Sequence, residues 1–538
     1  MHNPFILRAA PGLPFAVLAC LSVMPALALA FDGARLLQVM VLSLSAWLWL
    51  GWPLHNGRAR TMQALAAGGI GIAFLLDATV RVFILRTYGA TPDSTIVTTA
   101  LANTSRAEAA EFMLAYWPGV LQGAAMLLIS TALLGTLLWR WRKVTDRPMH
   151  VSHWRRIAFF VLLLLLLVAL TIKPSRKHHP FVFWPSLAQQ VADTRARWHG
   201  AHQHTALLKQ RAAAQEPTLT PSSPDTLVLV ISDSINRHHL SLYGYARPTT
   251  PKLAARQAQE SHSFKVFRHP WSADASTVFA LNNFFHFGEP ANPQRDHLLA
   301  LAGAAGYKTW WISNHDDLAV DLQHAQLADS RHMLNHIPGR STTSLDHAVL
   351  PELEMALNDT HRRKLIVVHL LGAHPHYRLR HPPEHAPFRN VQDAVDHDLK
   401  SRGRSARTRE LRNDYDSAIH FHDRIADHTL ELTRRLGGNA GWIFLSDHGQ
   451  EVGGVRNHTG HSTTSPDGYR IPLLAWGPVA HRIPDELQHV LIRSDWLGHS
   501  ITRLLGITWK SYRPERDFLD SRYRWSPPPH PIRVDYLS

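Results

Sequence analysis

Apolar residues are spread unevenly along this chain of 538 residues. Five runs in the first third are almost wholly apolar: Leu13 to Phe31, Leu36 to Leu54, Ala64 to Leu85, Leu114 to Trp139 and Ile157 to Ile172. Each approaches the roughly 20 residues of helix that cross a bilayer, and a stretch such as Leu162 to Leu167 has no place on a soluble surface helix. Beyond Lys173 the pattern changes. Short runs rich in β-branched and aromatic residues recur at Thr226 to Ile231, Thr309 to Ile312, Leu365 to Val368, Trp442 to Leu445 and Ile471 to Trp476. Runs apolar on both faces are the mark of buried parallel strands. Helical stretches such as Asp416 to Leu436 separate them, and strands alternating with helices predict an α/β sandwich around a mostly parallel sheet. The pattern therefore divides the chain into a five-helix transmembrane domain over 1–173, a linker over 174–224, and a soluble domain over 225–538. The linker carries the turn Pro221-Ser222-Ser223-Pro224 and a helical stretch around Ala188 to Ala214, and it predicts an interfacial helix.

Charge orients the spans. Arg58 and Arg60 lie between the second and third, and Arg140, Arg142, Lys143, Arg147, Arg155 and Arg156 between the fourth and fifth. The other loops are poorer in cations, so the positive-inside rule puts the basic loops in the cytoplasm and everything after Lys173 on the far side. This explains part of the net charge of +14. No Lys/Arg-rich run with interleaved aromatics occurs in the soluble half, which argues against a nucleic-acid partner. Four further spans follow the first apolar run, and no small-residue cleavage site precedes Asp32, so that run reads as a span rather than a signal peptide. Cys20, the single cysteine, excludes an intrachain disulfide. Asp77 and Arg81, spaced i, i+4 inside the third span, read either as a functional intramembrane pair or as a pair that satisfies itself.

Sites in open α/β sheets form beyond the carboxyl ends of strands. Those ends carry Ser232-Asp233-Ser234, then His369 with Gly372-Ala373-His374, then Ser446-Asp447-His448-Gly449, and further on Asn457-His458-Thr459-Gly460-His461. One histidine among 37 is most simply a surface residue, and an Asp after a strand is most simply a helix cap. Asp233, Asp447 and His448, each directly after a buried strand, together point to a divalent ion such as Zn²⁺.

These residues also carry a resemblance. Leu227 to Pro251, Ala305-Gly-Tyr-Lys-Thr-Trp-Trp-Ile-Ser-Asn314, His369-Leu-Leu-Gly-Ala-His374 and Ser446-Asp-His-Gly449 occur in the order of four blocks of the phosphoethanolamine transferases, of the alkaline-phosphatase and sulfatase superfamily. Tyr415, Asp416 and Asp423 match that family's Tyr-Asp-x-x-x-x-x-x-Asp helix, and five spans before a periplasmic domain is the family's plan. The resemblance implies that Asp233, Asp447 and His448 hold the metal. Asp233 stands where the family usually has Glu. It implies a nucleophile in the block Ser272 to Leu281, with Thr277, itself a metal ligand, as the best match and Ser276 beside it. The block lacks the family's usual Ser-Val-Pro. His374, and His458 or His461, are implied at the phosphoryl group. Thr104, Glu108 and Glu111 resemble the family's substrate-lining loop, and Thr104 with Glu108 also fits a helix start.

By resemblance the chain is a zinc enzyme, with one or two divalent ions, of the bacterial inner membrane. It is expected to pass through that membrane several times and to carry its catalytic domain in the periplasm. The implied reaction moves phosphoethanolamine from phosphatidylethanolamine to lipid A, a core sugar or another envelope glycan, through a covalent threonine intermediate. A phosphoglycerol transferase or another phosphodiester hydrolase of the superfamily is the nearest alternative, and a non-catalytic membrane scaffold is another. The nucleophile block lacks Cys/Ser-x-Pro-x-Arg, which argues against formylglycine sulfatase chemistry.

Overall fold

A computed structural model describes residues 13–51, 56–88, 90–104, 106–144, 153–199, 201–221, 223–292, 294–315, 318–334 and 345–537. The chain divides into two compact units: residues 1–101 with 113–193, and residues 102–112 with 194–538.

The first unit is helical. Its apolar helices run Leu13–Ala30, Gly33–Gly51, Gly57–Tyr88, Arg106–Val144 and His153–Thr171, the fourth starting within the second unit's short segment. These match the five runs read from the sequence. Three have the length and apolarity of a span: Gly33–Leu50, Gly57–Tyr88 and Tyr116–Lys143. Pro14–Ala30 and Ile157–Thr171 are apolar but shorter. Arg147 lies outside the described residues. Asp77 and Arg81 pair with each other: Arg81 Nε donates to Asp77 Oδ1 at 2.9 Å and Oδ2 at 3.0 Å, both side chains being buried, while Arg81 Nη2 has no hydrogen-bond partner among the described residues. The guanidinium also lies 3.8 Å from the centre of the Phe183 ring and 4.8 Å from that of Phe31, which suits a desolvated cation.

The second unit is built on a seven-stranded sheet. In chain order its strands are β1 (Thr226–Ser232), β2 (Phe264–Val266), β3 (Lys308–Ser313), β4 (Ser330–Met333), β5 (Lys364–His369), β6 (Ala440–Ser446) and β7 (Leu473–Trp476). Their spatial order is β2-β7-β6-β1-β5-β3-β4. The five strands from β6 to β4 are parallel, β7 is antiparallel to β6, and β2, antiparallel to β7, runs in the direction of the five. All five strands expected from the sequence form. β2 and β4, at the two edges, were not legible in it.

Strand pleating sends alternate residues of β1 to opposite layers. Leu227, Leu229 and Ile231 pack in one core with Leu208, Leu299, Leu301 and Leu504. Val228 and Val230 pack in the other with Val349, Leu353, Tyr415 and Ile419. Each such buried side chain contributes about 2 kcal/mol. This two-layer burial fixes the carboxyl ends of β1, β5, β3 and β6 side by side, and the candidate residues sit there.

Candidate active site

Asp233 follows β1 and Asp447 follows β6, and these two strands are direct neighbours with Ser446 opposite Ser232. The pairing brings two buried carboxylates to one point. Asp447 Oδ1 accepts the backbone N–H groups of His448, at 2.6 Å, and Ser234, at 3.2 Å. Among the described residues its Oδ2 has no hydrogen-bond partner, and neither has Oδ1 of Asp233. His448 is fully buried, and its Nδ1 lies 2.6 Å from the Gly449 carbonyl. A proton on Nδ1 donates to that carbonyl and leaves Nε2 as a lone pair, 3.6 Å from Asp447 Oδ2 and 4.0 Å from Asp233 Oδ1. Burial and the neighbouring Asp447 push the Asp233 carboxyl above the usual range, and burial pushes Asp447 up to about 7. Two such carboxylates without a counter-charge are costly to ionise.

The residues present fit a divalent ion. Buried oxygens without partners lie beside an imidazole nitrogen, and oxygen-plus-nitrogen donors suit zinc. Asp233, His448 and His461 offer ligand atoms within 4.8 Å of one another. His461 therefore belongs to this group. His458 turns away, with Nε2 3.3 Å from the His461 carbonyl.

Thr277 enters the same point from another element. It opens the helix Thr277–Phe285, with Ser276 as the N-cap. Its hydroxyl donates to Asp233 Oδ2 at 2.8 Å and lies 3.4 Å from His448 Nε2. Ser276 is turned to Asp274 instead, at 3.2 Å. The two hydroxyls left open by the sequence are thus separated by geometry, and the positive end of a helix faces the Thr277 hydroxyl.

A ring of imidazoles surrounds these groups. The ring of His461 lies 4.7 Å from that of His448 and 6.1 Å from that of His374. Burial holds His374 and His461 well below the usual histidine range, so both are neutral. Sequence reasoning missed His315, whose Nε2 is 3.8 Å from Asp233 Oδ2 and whose ring stacks on His369 at 4.1 Å. A signal existed, because His315 lies two residues past the end of β3, as the others follow their own strands. Gly372 allows the His374 loop to touch β1. Its φ is +55°, and an added Cβ would lie 2.6 Å from the Asp233 carbonyl oxygen.

The segment Ala102–Phe112 joins this unit although it lies between membrane helices in sequence. Asn103 Oδ1 accepts the Ala319 N–H at 3.0 Å, and Arg195 Nε donates to the Ala102 carbonyl at 2.7 Å. Glu111 and Arg380 form a buried ion pair at 2.5 Å. One helical turn before Glu111, Glu108 Oε1 lies 4.0 Å from His374 Nε2. Thr104 is half-buried in the same segment, and its carbonyl accepts from Arg195 Nη2 at 3.4 Å.

Tyr415, Asp416 and Asp423 brace the scaffold. Tyr415 donates to the Ser234 carbonyl at 2.9 Å. Asp416 accepts from Tyr245 and Arg247, each at 2.7 Å. Asp423 accepts the Lys252 N–H at 2.7 Å and the Leu253 N–H at 3.1 Å.

Comparison with known proteins agrees with this architecture. The sulfatase family model matches residues 225–507, more than half the chain. Phosphoethanolamine transferase EptC of Escherichia coli (strain K12) is 27% identical over 454 residues, which cover 78% of this chain and 76% of the relative. The crystal structure of the C-terminal periplasmic domain of EptC from Escherichia coli, in complex with Zn, superposes with a TM-score of 0.53 at 28% identity. The match covers 59% of this chain and 94% of that one. The integral membrane lipooligosaccharide phosphoethanolamine transferase EptA of Neisseria meningitidis shares the fold, with a TM-score of 0.60 at 18% identity over 94% of this chain and 97% of its own. With apolar helices in its first unit and a sulfatase-type sheet in its second, the chain is a membrane protein that belongs to the sulfatase family and, within it, to the phosphoethanolamine transferases.

Proposed function

We propose that this protein transfers phosphoethanolamine from phosphatidylethanolamine to lipid A, a core sugar or another envelope glycan, with Thr277 as the nucleophile. The observation that carries the proposal is the Thr277 hydroxyl, 2.8 Å from Asp233 Oδ2 and facing His448, beside two carboxylate oxygens without partners. Asp233, Asp447, His448 and Thr277 would hold zinc, with His461 within reach of a ligand position. When bound, the ion lowers the pKa of the hydroxyl and offsets charge on the phosphoryl oxygens.

The remaining steps belong to the chain's own residues. Thr277 Oγ1 gives its proton to Asp233 and attacks phosphorus, and the bond from phosphorus to the diacylglycerol oxygen breaks. His374 and His461, neutral and buried, donate N–H groups to the non-bridging oxygens. The diacylglycerol oxygen leaves with the proton that Asp233 took up, and phosphoethanolamine remains esterified to Thr277. An acceptor hydroxyl or phosphate then attacks phosphorus, and the Thr277 oxygen leaves and recovers its proton. Thr104 and Glu108 line the substrate side. The carboxylate of Glu108 matches the charge of an ethanolamine ammonium. The linker stretch expected around Ala188 to Ala214 forms as two helices, Pro180–His199 and Ala201–Ala214, and the first is proposed to lie along the membrane surface.

The direct test uses the full-length protein in detergent with phosphatidylethanolamine carrying a labelled headgroup. Labelled glycan or lipid A should form, chelation should stop the transfer, and zinc should restore it. Activity that survives complete removal of metal would reject the metal-dependent reading, and failure to move the headgroup from any zinc-loaded preparation would reject the transferase.

We also place the catalytic unit in the periplasm of an inner-membrane, multi-pass protein, on the strength of the loop charges. A periplasm-dependent reporter fused after Ser538 should be active. A fusion active only with a cytoplasmic reporter would reverse this orientation.

A further inference from the structure

Three other histidines converge at the far end of the nucleophile's helix, and nothing in the reaction uses them. His286 caps the C-terminus of Thr277–Phe285. It pairs directly across two short antiparallel strands with His297. His324 follows the helix Leu318–Gln323 and closes the triangle. Each offers a ring nitrogen within 4.8 Å of the others, and His297 Nε2 stands 3.0 Å from His324 Nδ1. All three are buried, His297 and His324 almost completely. The helix rise sets His286 about 13 Å along the axis from Thr277, so the trio is separate from the Asp233 centre.

We propose that His286, His297 and His324 form a second metal site, taking a transition ion of borderline softness, zinc first. Three nitrogen donors and no carboxylate select such ions over magnesium or calcium. The orientation of His286 is already that of a ligand. Its Nδ1 lies 2.9 Å from the Asn282 carbonyl, and donating there leaves Nε2 as a lone pair. The ring of Phe285 stacks on His297 at 5.4 Å and 2°, which fixes the plane of that imidazole.

The competing arrangement is a hydrogen-bonded trio without metal. In it His297 Nδ1 accepts the Leu299 N–H at 3.1 Å and Nε2 donates to His324. An ion on Nε2 moves the His297 proton to Nδ1 and gives up both of these contacts, to Leu299 and to His324, in exchange for three coordinate bonds. The fourth position takes water or hydroxide, which lowers the net charge. The only cysteine of the chain is Cys20, so the soluble unit has no disulfide. A metal here would tie the hairpin of His286 and His297 to the helix before His324 and brace the end of the helix that presents Thr277.

The test is cobalt binding to full-length protein, read by stoichiometry after dialysis and by the visible absorption of the bound ion. Wild type should hold about two equivalents. The double variant Asp447→Asn/His448→Ala, in which the trio is untouched, should keep about one, with the absorption of a nitrogen-ligated four- or five-coordinate ion. His324→Ala in the wild-type background should also keep about one, and all three changes together should keep none. The inference is overturned if Asp447→Asn/His448→Ala binds no cobalt, or if His324→Ala leaves the stoichiometry of both backgrounds unchanged. If the Asp233 centre holds no metal, wild type binds a single equivalent that only His324→Ala removes, so the two sites fail independently.

Discussion

Replacing Thr277 with Ala should lower phosphoethanolamine transfer by about a thousandfold or more, because it removes the atom on which the covalent route is built. The protein itself should remain folded. The side chain is small, and its hydroxyl makes one strong hydrogen bond, to Asp233 at 2.8 Å. Losing that bond costs about 1 kcal/mol. Asp447 and His448 keep their backbone anchors, at 2.6 Å each, so zinc content should fall little. The decisive measurement is the intact mass of the wild-type protein after incubation with phosphatidylethanolamine. An adduct of one phosphoethanolamine should appear and map to the peptide bearing Thr277. An adduct on Ser276 would contradict the geometry, in which Ser276 faces Asp274. Near-normal transfer by Thr277→Ala, with no adduct on this peptide, would end the threonine mechanism for this protein.

The second large effect is expected at a residue with no chemistry of its own. Gly372→Ala should destabilise the protein by about 3 kcal/mol and abolish transfer. The φ of +55° is one part of the reason, since a side chain there is strained. The larger part is space. The new Cβ would lie 2.6 Å from the carbonyl oxygen and 2.9 Å from the nitrogen of Asp233, backbone atoms held at the carboxyl end of β1. The His374 loop must then lift, or Asp233 must move. The loop is also pinned by Asp346, which accepts the Leu371 N–H at 2.9 Å and the Gly372 N–H at 2.8 Å, so lifting breaks those bonds too. Gly403→Ala provides the control. It has a similar φ of +71° but open space around it, and it should cost only about 1 kcal/mol. Thermal unfolding and zinc content of the two variants check this. Equal losses at both positions would show that backbone strain, not contact with Asp233, dominates.

The sequence was informative wherever a residue's role depends on near neighbours in the chain. The central strands were legible because a parallel strand covered on both faces must be apolar throughout. Edge strands obey no such rule. Ser330–Met333 reads Ser-Arg-His-Met and is only partly buried, and Phe264–Val266 is three residues long. Neither announces itself. Asp233, Asp447 and His448 could be found because strand ends in this architecture converge, and His315 followed the same rule unnoticed. The choice between Ser276 and Thr277 was not available from spacing, since it rests on which residue caps a helix and which opens it. The choice between His458 and His461 rests on how a loop folds back. The pairing of Glu111 with Arg380 spans 269 positions, and no local pattern predicts it.

That last pairing bears on how the halves of such a protein are inherited. The second unit is discontinuous in the gene, because one of its segments, Ala102–Phe112, is encoded among the membrane helices. A recombination joint placed in the linker would look harmless by eye, yet it would graft a foreign partner onto Arg380 and a foreign neighbour onto His374. A chimera therefore keeps a matched set only if residues 102–112 travel with the sheet they complete.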